Sequence, residues 1–277
     1  MKEETFEGVG GVSIFMRSWR PTGKPRAVLV SVHGFKAYGG LFDWAGAQFA
    51  SRGLAVYNLD LRGHGRSGGA RLEVDKFADY LADVGQLVDI ARERDPGLPI
   101  YVLGHSAGGV ISLHYVRDHQ REIAGFICHS FAQEVPAPDV VLALVRGISH
   151  LAPHIGVLDL KDEGFSRDAA FVERMKTDPL MSHAKYPAHT VAELARADDR
   201  MKEEFDTVTL PVLIMHGTVD SVTVPHGSQI FYDNAGSADK TLKLYEGHYH
   251  DLLNDLGKEQ VLDDIVAWIA ARVESRA

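Results

Sequence analysis

A chain of 277 residues, 45% apolar and 24% charged, can bury a substantial core within one large domain and has ordinary globular composition. Its net charge of −9, with no Lys/Arg cluster, argues against a nucleic-acid-binding surface and against electrostatic docking to anionic lipid. The acidic start Met1–Thr5 has no apolar signal core, no stretch reaches membrane-spanning length, and a lone cysteine, Cys128, excludes an internal disulfide; the expected compartment is the cytoplasm.

Thr5 to Arg20 alternates around Gly8–Gly11 and predicts an antiparallel hairpin ending at Pro21. Ala27–Val32 is a continuous apolar run, as expected of a strand covered on both faces, and stops at His33-Gly34. Leu41 to Arg52 has helical spacing and closes at Gly53, Leu54–Leu59 is the next strand, and the period of Phe77, Leu81, Val84, Leu87, Val88 and Ala91 predicts a helix over Val74–Arg94. A strand over Pro99–Leu103 then leads through Gly104–Gly109 into the helical run Val110–Val116, and Ile123–His129 is a further buried strand holding Cys128, read as a core thiol. Strands over Leu210–His216 and Thr241–Tyr245 and an amphipathic helix over Val261–Val273 close the chain.

This alternation predicts an α/β fold with a mostly parallel sheet flanked by helices. The rhythm breaks between Phe131 and about Asp206, where Pro136, Pro138, Pro153, Pro179 and Pro187 interrupt apolar segments. The expected organisation is a core of residues 1–130 and 207–277 with a helical cap, 131–206, inserted over the C-terminal edge of the sheet, where such folds bind ligands. Most of the apolar residues between Val140 and Leu158 are expected to pack as core, and the remainder to line an acyl tunnel or touch a membrane.

Gly104-His105-Ser106-Ala107-Gly108 reads Gly-x-Ser-x-Gly between a strand and a helix, the context of a nucleophile elbow. The turn strains the serine backbone, the glycines admit neighbouring backbone, and the Ala107 N–H lies at a helix N-terminus that favours an oxyanion. A serine hydroxyl needs a base, and the base a carboxylate, in chain order Ser, Asp/Glu, His. Asp220, just past the strand ending at His216, is the candidate acid; an aspartate that merely caps a turn is the bland alternative. The base lies in Gly247-His248-Tyr249-His250, where spacing alone leaves His248 and His250 open; a metal reading lacks a third ligand in that segment. The loop after the Ala27–Val32 strand should supply the second oxyanion donor, the N–H of Phe35, with His33 as a structural hydrogen-bonding residue. Gly63–Gly68 matches Gly-x-Gly-x-x-Gly, but it opens no helix, so no dinucleotide cofactor is expected; Asp60 and Arg62 are read as braces for that loop.

With these segments in view, the chain resembles α/β-hydrolases of the monoacylglycerol lipase and lysophospholipase group. The likeness rests on Leu61–Ser67, Gly104–Gly109, Asp178-Pro179-Leu180, His216–Asp220 and Lys243–His250. It implies a Ser106–His250–Asp220 triad, since the family's histidine follows an aromatic residue as His250 does. It also implies cofactor-free hydrolysis of small-molecule esters of medium or long acyl chains, under a cap that touches membranes transiently. Where the family carries polar headgroup-recognising residues, this chain has Ala37, Tyr38 and Leu41. The resemblance therefore points to a broader, more hydrophobic carboxylesterase specificity. Lactones, thioesters or amides, and a low-turnover receptor, are the alternative readings of the same residues; oligomeric state is left open.

Overall fold

Uninterrupted apolar runs become the central strands, because only a strand covered on both faces can be apolar at every position. The computed structural model describes residues 1–136 and 139–275, with backbone alone at 139, 140 and 142. The chain begins with β1 (Lys2–Glu7), β2 (Ser13–Trp19), β3 (Ala27–Val32), α1 (Asp43–Ser51), β4 (Leu54–Leu59), α2 (Phe77–Arg94), β5 (Ile100–His105), α3 (Ala107–Asp118) and β6 (Gly125–His129). It continues with α4 (Asp139–Leu151), β7 (Gly156–Leu158), α5 (Ala169–Thr177), β8 (Tyr186–Pro187) and α6 (Ala188–Lys202). It closes with β9 (Val212–Gly217), α7 (Pro225–Asn234), β10 (Lys240–Tyr245) and α8 (Lys258–Glu274).

Eight strands form one sheet in the order β1-β2-β4-β3-β5-β6-β9-β10. β1 and β2 pair antiparallel, as does β2 with β4, and the remaining pairs are parallel. Side chains alternate between faces: Val28, Val30 and Val32 join the core under α2 and α3, while Ala27 and Leu29 join the core under α1 and α8. The order reverses at β3, flanked by β4 on one side and β5 on the other, and such a switch point opens a crevice at the carboxyl ends of the strands. Register sharpens this. Val32 pairs with Gly104, so the loops after β3 and β5 start side by side. Tyr245 pairs with Gly217, which does the same for the loops after β10 and β9.

The predicted strands fall where periodicity puts them, but two helix starts shift. Gly39–Phe42 is a 3-10 turn, so α1 begins at Asp43. α2 begins at Phe77 rather than Val74, with its first N–H accepted by Glu193 Oε2 at 2.8 Å and the Val74 N–H by Thr190 Oγ1 at 3.2 Å. Both acceptors lie on α6, far along the chain.

The described residues between β6 and β9 add no strand to the large sheet; they form helices and the small antiparallel pair β7–β8. Pro138, one of the prolines that mark this region, lies outside the described residues. The expectation that most apolar side chains between Val140 and Leu158 join the core is corrected on α4. Val141 is 44% exposed, Leu144 61% and Leu151 90%, because α4 packs mainly along α6. Cys128 is buried. No helix among the described residues is long and apolar enough to cross a membrane.

Candidate active site

Ser106 sits between β5 and α3 at φ 54° and ψ −122°, a conformation that costs a non-glycine residue about 1–3 kcal/mol and survives only where its surroundings over-determine it. A Cβ on Gly108 would meet the His33 and Val32 carbonyl oxygens at 2.4 Å, and one on Gly104 would meet the Gly108 oxygen at 2.7 Å. Tight backbone approach is what forces glycine at both places. A Cβ on Gly34 would fall 2.7 Å from the Ser106 Cβ and 3.3 Å from its Oγ, so the loop after β3 lies directly against the serine. Phe35 follows in that loop, and Ala107 opens α3, where its N–H has no intrahelical acceptor.

Across the sheet edge, His250 Nδ1–H donates to Asp220 Oδ2 at 2.7 Å. Both side chains are fully buried, and His250 Nε2 has no hydrogen-bond partner among the described residues. Asp220 is heavily supported. Its Oδ1 accepts the N–H groups of Val222 (2.8 Å) and Thr223 (3.0 Å), and its Oδ2 also accepts from His216 Nε2 and the Thr223 hydroxyl, each at 2.9 Å. Burial alone would raise this carboxyl, but the charge of His250 and the hydrogen bonds from His216 and His250 hold it far below the usual carboxylate range. The Ser130 hydroxyl donates to the His250 carbonyl, fixing the backbone of the loop after β10.

Of the two histidines in that loop, only His250 reaches Asp220. His248 turns toward Asp255, 3.4 Å away, and packs beside Tyr245. The sequence assigns neither His216 nor Thr223 a role in supporting Asp220. Their signal is weak: a strand-end histidine four residues before the acid, and a loop threonine three after it.

His33 accepts the Leu61 N–H at Nε2 (2.9 Å) and donates to the Gly34 carbonyl (2.7 Å), as a bracing residue does. Asp60 accepts from Arg17 (2.6 Å), Gly39 N–H and Arg66 N–H (both 2.8 Å), and Arg62 is held by both oxygens of Asp83, so Gly63–Gly68 is a braced turn. His105 stacks on His129 at 4.4 Å and lies 4.8 Å from the His250 ring.

Burial keeps several such histidines neutral. It pushes His33 and His114 down to about 4, His64 and His129 to about 3, and His105 well below its ordinary value. In the unfolded chain each takes up a proton near pH 6.5, so stability is complete above that pH and is lost as pH falls below it. Burial raises Asp198 to about 7 and Asp251 to about 6, and these carboxyls bind protons in the fold first, which offsets part of the loss. The lowered histidines outnumber these two raised carboxyls, so unfolding free energy should fall as pH drops from about 6.5 toward 5. Urea midpoints measured from pH 7.5 to 5 should drop steeply; a flat series contradicts this assignment.

The comparisons with known proteins agree with this architecture. A family model described as serine aminopeptidase, S33 (Hydrolase_4) matches residues 23–257. The chain is 36% identical over 275 residues to a monoacylglycerol lipase of Mycolicibacterium smegmatis, covering 98% of each chain. It is 30% identical over 267 residues to human monoglyceride lipase, covering 95% of this chain and 88% of the human one. The crystal structure of a monoacylglycerol lipase from Paleococcus ferrophilus superposes with a TM-score of 0.82 at 25% identity, covering 94% of this chain and 99% of that one. Matched over most of its length by sequence and by fold, the chain belongs to the α/β-hydrolases, as a serine ester hydrolase of the monoacylglycerol-lipase-like group.

Proposed function

We propose that Ser106, His250 and Asp220 form the catalytic triad of a carboxylesterase for medium- or long-chain acyl esters, resembling monoacylglycerol lipases and lysophospholipases. The observation that carries the reading is the 2.7 Å bond from His250 Nδ1 to a buried, ionised Asp220, which leaves the opposite ring nitrogen, Nε2, free to act as a base. Ser106 Oγ attacks the ester carbonyl carbon while Nε2 takes its proton. The resulting oxyanion is held by the N–H groups of Phe35 and Ala107. The C–O bond to the alcohol then breaks, Nε2 returns the proton to the leaving alkoxide, and water repeats the sequence on the acyl-enzyme. Residues 131–206 act as the cap over this site. The exposed Val141, Leu144 and Leu151 of α4 support a transient membrane contact through it.

The loop after β3 bears on alcohol specificity. Ala37 and Leu41 are buried against Phe165, Phe171 and Met175, and the Tyr38 hydroxyl is spent on Asp178 at 2.5 Å. None of the three presents a free polar group to a polyol. A site built to hydrogen-bond a hydroxyl rejects analogues lacking it by about four to five powers of ten, whereas an apolar one does not. The expected ratio of kcat/KM for a 1-monoacylglycerol over the methyl ester of the same acid is therefore within about tenfold. A preference of several hundredfold for the glycerol ester overturns this specificity.

The aminopeptidase description of the matching family model favours amides as a second reading. Both are separated by one assay series: p-nitrophenyl esters from acetyl to palmitoyl beside the corresponding p-nitroanilides. Steady ester turnover with a preferred chain length supports the esterase. Faster anilide turnover replaces it with an amidase, and an acylation burst without turnover replaces it with a receptor.

A further inference from the structure

We infer that Tyr186, contributed by β8 of the insertion, is a positioning residue for the oxyanion hole. The inference rests on the triad reading above and extends it to a residue that no motif marks. The loop after β3 is strained next to the proposed donor: Lys36 has φ 51°, left-handed backbone that non-glycine side chains resist. Such a conformation persists only if neighbouring groups hold it, and here the insertion does so. The Lys36 N–H donates to the Tyr186 hydroxyl, fixing the peptide unit directly after Phe35. The Tyr186 ring stacks on the Phe35 ring, with centroids 4.3 Å apart and planes 12° from parallel. The same hydroxyl donates onward to His64 Nε2 at 3.1 Å, and His64 is oriented by its Nδ1–H bond to the Arg62 carbonyl at 2.9 Å. The hydroxyl is thus used as acceptor and as donor, which fixes its position from both sides.

The contacts converge on both halves of the oxyanion hole. Phe35, Ala107, Leu72 and Tyr186 form one small buried apolar cluster, and Tyr186 is 2% exposed. The Lys36 ammonium bonds the Leu160 carbonyl and pairs with Asp162 at 3.0 Å, so this residue is tied to the insertion by backbone and side chain alike. The insertion therefore sets the direction of the Phe35 N–H as well as covering the site. A donor misdirected by a fraction of an ångström loses transition-state stabilisation while substrate binding, which does not use it, is spared.

The test is Tyr186→Phe, which keeps the ring stack and removes the hydroxyl. The expected result is a fall in kcat of about tenfold with KM within about twofold, because the donor is displaced and not deleted. Affinity for a trifluoromethyl ketone bearing the same acyl chain, whose hemiketal oxyanion occupies the hole, should fall by the same factor. A folded Tyr186→Phe with wild-type kcat, or one whose kcat falls while ketone affinity is unchanged, overturns the inference. Where Tyr186→Phe does not fold, His64→Asn is measured instead. It keeps a donor toward the Arg62 carbonyl and removes the acceptor of Tyr186, together with the ring contacts of His64 to Phe35 and His33. The same paired losses, about threefold, are expected, with unchanged values again overturning the inference. Failure of the parent reading is distinguishable: Ser106→Ala would then retain ester turnover whatever Tyr186→Phe does.

Discussion

Ser106→Ala should lower kcat on a p-nitrophenyl ester by on the order of 10⁶, with a residual rate above that of water supplied by the oxyanion donors and binding. Stoichiometric labelling by a fluorophosphonate should vanish in the same variant. Ser106→Gly adds a second readout. The side chain at this position is held at φ 54° and ψ −122°, and glycine enters that region without penalty. Ser106→Gly should therefore be as inactive as Ser106→Ala yet more stable than the wild type by about 1 kcal/mol, seen as a raised melting temperature. An inactive but destabilised glycine variant would deny that strain is stored there. Wild-type turnover in either variant would remove Ser106 from the mechanism.

Asp220→Asn is the second large effect, about 10⁴ in kcat, and it follows from which oxygen does what. Oδ1 accepts two backbone N–H groups, so an asparagine must place its carbonyl oxygen there. Its NH₂ then occupies the Oδ2 position and faces His250 Nδ1, His216 Nε2 and the Thr223 hydroxyl. A donor now meets donors. His250 can accept from the amide only by moving its proton from Nδ1 to Nε2, the tautomer that cannot take a proton from Ser106. Because the carboxyl of Asp220 stays ionised far below neutral pH, no change in wild-type kcat between pH 8 and 5 should arise from titration of Asp220. The measurement is kcat for both proteins across that range, with melting curves to show that the variant is folded. A kcat within tenfold of wild type would mean that the tautomer is not set by Asp220.

Much of this protein was legible in its sequence because the governing forces are local. Periods of 2 and 3.6 follow from strand and helix geometry, so the order of strands and helices could be placed within a few residues. The turn around Ser106 could be read because steric crowding dictates glycine at 104 and 108, and the chain order Ser, Asp, His pointed to the segments holding Asp220 and His250, which are hydrogen-bonded to each other. The resemblance to a family, and not spacing, chose His250 over His248. What separates them physically is that one ring points at Asp220 and the other at Asp255, across a loop that spacing does not orient.

Tertiary structure alone decided the rest. Glu193 of α6 against the first turn of α2, and Tyr186 against Phe35 and Lys36, are partners brought together by the packing of separate elements, with 116 positions between Phe77 and Glu193 and 150 between Lys36 and Tyr186. His216 and Thr223 are near Asp220 in sequence, but the loop conformation that aims them at its carboxylate is set by the fold. The fate of the apolar run in α4 belongs with them, since hydrophobicity states what a side chain prefers but not whether a neighbour arrives to cover it. Sequence determined the elements and the chemistry each carries, because those are settled by steric and solvation effects within a few residues. The aim of each hydrogen bond was decided only when the sheet reversed its order at β3 and residues between β6 and β9 packed on the loop that follows.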